Sequence, residues 1–306
     1  MKAAFLLMLL LSSLTGLGQT GLSENSQQPA LEAFSFSGKP LYAKAAEPSA
    51  LLKSDSIIKT IKNKTDLNED DFVEIGKQLV ATNRYKLAVT NYSEGLAKYP
   101  ASYKLLRNRG HRYITLRQLD NAMADLLKAE KIIPIGTDVM EYGLDEKSTA
   151  TVRHQIHYHI GVCHYLKKDF TRSAAAFEKA LATAGDSKNI VGASDWLYNC
   201  YQRIGQSEKA KKIVEPITPN YLEEKDQPYF RRIMLYNGFI TPEELVDSNM
   251  QPDKMSVQDI TKLYGLASWY QYQGNKEKAT SLYKIILQSD LWPGWAYAAA
   301  EKEFLK

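Results

Sequence analysis

The hydrophobic positions of this chain recur with helical spacing. Phe72, Ile75, Gly76 and Leu79 fall at i, i+3, i+4 and i+7, which is one face of a helix. Asn83-Arg84-Tyr85 interrupts that stripe, Ala88, Tyr92, Gly95 and Leu96 form a second one, and Pro100 ends it. The next stretch repeats the arrangement with Leu106, Gly110 and Tyr113, then Ala122, Leu126, Ala129 and Pro134. Gly76, Ala88 and Pro100 each have a counterpart 34 residues later, at Gly110, Ala122 and Pro134. A fixed period of that size predicts an array of stacked helix hairpins. Small residues at Gly76 and Ala88 let the two helices of a hairpin cross closely, and a large residue at either place would force them apart.

The pattern continues with departures. A third unit carries His157, Ile160, Gly161 and His164, then Phe170, Ser173, Phe177 and Ala180, so histidine replaces two large apolar residues. A fourth has Leu197, Tyr201, Gly205, Ala210 and Val214, and a last one Leu263, Leu266, Ala267, Tyr270, Gly274, Ala279 and Tyr283. The 69 residues from Gly205 to Gly274 leave room for a degenerate pair, with Tyr229–Tyr236 as one helix and Pro242–Val246 opening the other. The predicted repeats are thus about 69–102, 103–136, 154–187, 191–224, 225–250 (degenerate) and 260–290, with a cap over 291–306. One amphipathic helix precedes them at 51–64, so the array spans 51–306, and residues 135–150 form an insertion. Residues 19–50, rich in Ser, Gln, Pro and Ala, read as a flexible leader in which Phe34 and Gly38–Tyr42 could dock on the array.

These hairpins, with large, small and aromatic residues at set offsets, resemble the tetratricopeptide repeat, most strongly over residues 69–134. The resemblance implies an all-α, right-handed α-solenoid of tetratricopeptide-type helix hairpins with a C-terminal capping helix. Gly38–Tyr42, Arg109–Ile114, His157–Phe170 and Ala299-Ala300-Glu301 are also similar to segments of a group of exported bacterial tetratricopeptide repeat proteins of unestablished activity. That likeness implies export and fold and adds no chemistry.

Composition narrows the partners. Of 306 residues, 44% are apolar and 24% charged, and Lys plus Arg exceeds Asp plus Glu by 4. The chain is globular, and so small and scattered a surplus argues against nucleic acid as a ligand. Lys2, the nine apolar residues Ala3–Leu11 and the small-residue run ending Gly16-Leu17-Gly18 read as a secretory signal peptide over 1–18, cleaved after Gly18. Nine apolar residues fall short of the roughly 20 that a spanning helix needs. The expectation is a secreted or periplasmic protein with no membrane span after signal removal and a net charge of +3. Cys163 and Cys200 occupy equivalent places on successive hairpins. Packed helices lie about 8–10 Å apart, beyond the roughly 7 Å that a disulfide allows, so two buried free thiols are expected.

No nucleophile elbow, phosphate loop or dinucleotide fingerprint is present, and no catalytic residue, cofactor or metal is assigned. Four of the five histidines lie at His154, His157, His159 and His164. Three of them share a helical stripe, which is the basis of an alternative metal-binding or enzymatic reading. That stripe is also the packing face in other units, so imidazoles hydrogen-bonded between helices are the expected arrangement. The better functional candidate is the concave surface formed by the first helix of each hairpin. It predicts an exposed groove with a cationic end at Lys104, Arg107, Asn108 and His111, passing through Tyr158, His159, Trp196, Asn199 and Arg203 to an aromatic end at Tyr264 and Tyr272. The cationic end suits a carboxylate such as a peptide C-terminus, and the aromatic end an extended peptide or glycan. The same rings could instead fill gaps between helices. The tetratricopeptide carboxylate clamp is matched incompletely, since the third unit offers neither Lys nor Arg at its groove positions. Arg109, where Leu is usual, needs a buried partner, and Asp125 is the candidate. The reading is a non-catalytic scaffold binding peptide or protein segments, with docking through Trp292, Trp295 and Tyr297 of the cap as a further alternative.

Overall fold

The computed structural model describes residues 29–136, 139–142, 149–246 and 250–305. The predicted signal peptide lies outside them. The chain forms consecutive antiparallel helix hairpins after a lead helix α1 (Pro48–Lys62): α2 (Glu69–Ala81) with α3 (Tyr85–Lys98), α4 (Tyr103–Thr115) with α5 (Leu119–Ile132), and α6 (Val152–Leu166) with α7 (Phe170–Ala182). They continue as α8 (Ser187–Arg203) with α9 (Ser207–Val214), α10 (Pro228–Tyr236) with α11 (Pro242–Leu245), and α12 (Val257–Tyr272) with α13 (Lys276–Gln288). A single helix, α14 (Trp295–Glu303), ends the stack. The all-α solenoid expected from the periodicity is the architecture found.

Local chemistry sets the helix boundaries. Asn68 caps α2 in a reciprocal box with Asp71, and Ser102, Thr151, Asp186 and Ser256 cap the first helices of later hairpins. Every hairpin turn passes through the left-handed region two residues beyond the first helix, at Asn83, Arg117, Lys168, Gly205, Gly238 and Gly274. Within hairpins the crossings follow the small-residue rule. A Cβ on Gly76 would lie 2.1–2.3 Å from ring atoms of Tyr92 on the partner helix. Gly110 faces Leu126 and Gly161 faces Phe177 in the same manner. Arg109 forms the expected pair, its Nε and Nη2 donating to Asp125 at 2.7 and 2.8 Å. Both cysteines are buried free thiols.

Three features depart from expectation. Of the predicted flexible leader, 19–50, only 29–50 lies within the described residues, and that part carries regular structure: α1 begins at Pro48, and Leu31–Phe34 (β1) pairs antiparallel with Pro40–Tyr42 (β2). Ala33 and Leu41 of this β-hairpin are buried, and the Glu32 carboxylate accepts a 2.7 Å bond from the Lys86 amide. The insertion contributes a second small sheet, Met140–Tyr142 (β3) with Thr149–Thr151 (β4). The third departure concerns the concave side, which is not an open trough.

α14 lies across it. Arg117, at the α4–α5 turn, donates to Glu301 at 3.0 and 3.2 Å and to the Trp292 carbonyl at 2.7 Å. Arg203, at the end of α8, donates to Glu303 at 3.2 Å. Trp292 Nε1 donates to the Tyr42 carbonyl at 2.7 Å, so the C-terminal segment also touches the N-terminal β-hairpin. Ala298, Ala299 and Ala300 let α14 approach its neighbours closely and are buried.

Arg117 and Lys168 hold a backbone conformation that costs a non-glycine residue about 1–2 kcal/mol. Both send side chains to the C-terminal segment, Lys168 reaching the Leu305 carbonyl at the surface. Lys168→Gly is therefore expected to leave urea stability unchanged or raise it by about 0.5–1 kcal/mol, since glycine's greater unfolded-state entropy offsets part of the relief. Arg117→Gly relieves the same strain but strands the buried Glu301, and should lose about 3 kcal/mol in the same assay.

Candidate functional site

Above α14 the concave side remains hollow. A chamber of about 430 Å³ lies among α2, α4, α6, α8 and α10, with Trp295 of α14 as part of its floor and Glu141 of β3 at its wall. The N-terminal halves of α6 and α8 contribute His154, Gln155, Tyr158 and Asn189, and α10 contributes Tyr229. A second hollow of about 380 Å³ shares His111, Arg112, Tyr229 and Trp295 with the chamber.

The predicted groove residues divide into two groups. Arg107, Asn108, His111 and Tyr158 line the chamber. Arg107 is buried and ion-paired with Glu141, and Asn108 donates to Glu141 at 3.3 Å. His111 packs against His159 with ring centroids 4.2 Å apart and the rings tilted by 35°, and both face Trp295. Lys104 lies outside the chamber, bonded to Asp70 at 2.8 Å.

The others are core residues, and their predicted exposure is corrected. Trp196 is 1% exposed and stacks on Phe177. Asn199 is fully buried and accepts a 3.0 Å bond from Tyr272. Tyr264 is fully buried with its hydroxyl 2.9 Å from that of Tyr165. Arg203 is held by Glu303, and His159 has no exposed surface. Two causes bury them: α10 and α12 pack over Trp196 and Asn199, which meet Tyr229, Arg232, Tyr236, Tyr264 and Tyr272, while α14 meets Arg203 and Tyr264 through Glu303 and His159 through Trp295. The cap aromatics face inward as well, with Trp292 and Tyr297 buried, which corrects the docking role foreseen for them.

The histidines of α6 do not converge. His154 Nδ1 is 2.8 Å from the Ala180 carbonyl, His157 faces Glu130, His164 lies near Asp169, and His159 points to His111. Among the described residues, no group of three His, Cys, Asp or Glu is placed to hold a metal ion.

The residue that sequence reading missed is Arg112. It lines both hollows. Arg107, Arg109, Arg117, Arg203 and Arg232 each meet a carboxylate. Among the described residues Arg112 has no carboxylate within ion-pair distance and no hydrogen-bond acceptor. Burial pushes its guanidinium below the usual range, and no anion restores it. A signal was present: Arg112 stands two residues after Gly110, and the same offset from Gly161 is the buried Cys163.

No family model matches the sequence, and no curated protein matches it. Solved structures do match. They include a tetratricopeptide repeat protein from Parabacteroides merdae, at 15% identity over 76% of this chain and 84% of that one, with a TM-score of 0.46. YrrB, described as a tetratricopeptide repeat protein with an unusual peptide-binding site, matches at 13% identity over 76% and 92%, with a TM-score of 0.43. MamA matches at 15% over 55% and 90%, with a TM-score of 0.39. In fold the chain resembles the tetratricopeptide repeat proteins. What fixes its architecture is its own hairpin geometry, with a small residue on the first helix of the first three hairpins and the left-handed turn that follows in each.

Burial, with the neighbouring arginines, holds His111 and His159 well below the ordinary imidazole value of 6.5. The unfolded chain therefore binds protons that the folded chain refuses, and stability falls as pH drops below that value. Each histidine kept neutral costs about 1.4 kcal/mol per pH unit there. The urea midpoint is expected to fall between about pH 7.5 and pH 5.5, and His159→Leu should flatten that dependence. An unchanged midpoint in the parent protein contradicts neutral buried imidazoles.

Proposed function

We propose that this protein is an exported, non-catalytic helical-repeat binding module that holds a protein segment by a carboxylate inserted into the inner chamber. The observation that carries this reading is Arg112: a half-buried guanidinium in the wall of a chamber that Tyr92, Tyr158, Tyr229 and Trp295 help to line, without, among the described residues, the carboxylate partner that the other inward-facing arginines have. An unpaired charge in such surroundings is costly and is expected where a ligand supplies the counter-ion. The chamber accommodates a chain end rather than a long strand, because Trp295 closes its floor. Tyr92, Tyr158 and Tyr229 offer ring faces to apolar parts of the inserted residue, and Gln155 and Gln227 offer amide groups to its backbone. Export rests on the N-terminal apolar run. Among the described residues, no helix is long and apolar enough to cross a membrane.

The test compares one peptide library with free and with amidated C-termini, binding being followed by NMR shifts of the tryptophan indoles. Free carboxylates should bind and the amides should lose about tenfold or more, the worth of a charge-assisted hydrogen bond. Arg112→Leu should abolish binding and leave the melting temperature unchanged or higher, because it removes an unpaired charge. A lower melting temperature, or binding that survives the substitution, defeats the reading.

A further inference from the structure

Among the described residues the second helix of the fifth hairpin, α11, is only four residues long. In the first three hairpins the second helix covers the next hairpin's first helix: α3 lies on α4, α5 on α6 and α7 on α8. Those covering helices have thirteen or fourteen residues. Among the described residues, what lies between α10 and α12 is α11, of four residues, and a three-residue 3-10 turn at Pro252–Lys254. The cause is local. Thr241 and Glu244 form a capping box and Pro242 opens the helix, but Val246 already has extended backbone, and Pro252 follows. α11 covers Leu266, which is buried against Leu245, and beside it the half-buried faces of α12 and α13 leave a groove of about 860 Å³ on the outer side of the array. Its walls include Leu266 and Tyr270 of α12, Leu282 and Ile285 of α13, and Val246.

The rim of the groove has a charge preference. Its charged lining residues are Glu243, Glu244, Glu277 and Lys278. The ammonium of Lys278 lies 4.9 Å from the centre of the Tyr270 ring, drawn over an aromatic face. Glu243 and Glu277 stand exposed. With three Glu to one Lys among its described charged lining residues, the rim locally disfavours an acidic partner.

We propose that this groove docks an amphipathic helix of a partner protein, about four turns long, with apolar side chains at i, i+3, i+4 and i+7 flanked by Lys or Arg. The partner helix takes the place that α3, α5 and α7 occupy in their hairpins and completes the fifth hairpin in trans. This surface lies apart from the inner chamber, so its occupancy does not depend on a ligand at Arg112.

A labelled fourteen-residue peptide, with Leu at the four face positions and Lys on the flanks, is titrated with the full protein and followed by fluorescence anisotropy. A second peptide carries Glu in place of Lys. The Lys peptide should bind at least about tenfold tighter at low salt, and added salt should narrow the gap. Ser281 is exposed in the groove, and Ser281→Trp should fill it and abolish binding without lowering the melting temperature. Glu243→Lys with Glu277→Lys, both at exposed sites, should weaken the Lys peptide and favour the Glu peptide. Equal affinity for the two peptides overturns the proposal, as does binding that persists in Ser281→Trp. A dimer in sedimentation that Ser281→Trp dissociates would assign the groove to a second copy of this chain, and would overturn it too.

Discussion

The ion pairs that pin α14 to the inside of the array shape everything functional in this molecule. Arg117–Glu301 joins a hairpin turn to the last helix with both side chains almost fully buried, at 4% and 7% exposure. Arg203–Glu303 does the same from the end of α8. Such pairs are costly to desolvate, and breaking one partner away is worse than never having formed the pair. They act here as a register device. The carboxylates on α14 match only a docking in which Trp295 reaches His111, Tyr158 and His159. An array that would otherwise present a long open trough becomes a body with a filled lower half and a small upper chamber.

That closure changes what can be bound. A trough lined by rings from Tyr158 to Tyr272 would take an extended chain along its length. In the proposed reading the chamber takes a compact group instead, and its cationic wall selects the charge. Arg107 is paired with Glu141, while among the described residues Arg112 has no carboxylate within ion-pair distance. The outer groove beside α11 is the complementary case, apolar with an acidic rim, where among the described residues a hairpin's second helix is only four residues long. Both surfaces arise where the repeat pattern breaks: at the C-terminal helix, which has no partner helix of its own, and at the truncated fifth hairpin.

The repeat itself was legible in the sequence because its constraints are local or have a fixed period. Gly76 with Tyr92, Gly110 with Leu126 and Gly161 with Phe177 each lie sixteen residues apart, so the crossing geometry can be read along the chain. Arg109–Asp125 was legible for the same reason, as its partners sit on the two helices of one hairpin. The filling of the concave side was not. Arg117 and Glu301 are 184 residues apart, and nothing local marks Glu301 as facing inward. The curvature that brings α14 back to α4 accumulates from small rotations at each hairpin, which single residues do not reveal. Trp196, Asn199 and Tyr264 looked like groove residues because their helical positions do face inward. Trp196 and Asn199 are buried because α10 and α12 of later hairpins pack over them, and Tyr264 also meets Glu303 of α14.

The most direct measurement is a double-mutant cycle between Arg117 and Glu301, using Arg117→Ala, Glu301→Ala and both together, with stability read by urea unfolding at neutral pH. A buried pair that fixes α14 in the concave side predicts a coupling of about 2 kcal/mol, with the double variant far less damaged than the sum of the singles. A coupling below about 0.3 kcal/mol, which is the additivity of independent sites, would mean that α14 does not close the array and that the chamber does not exist as described.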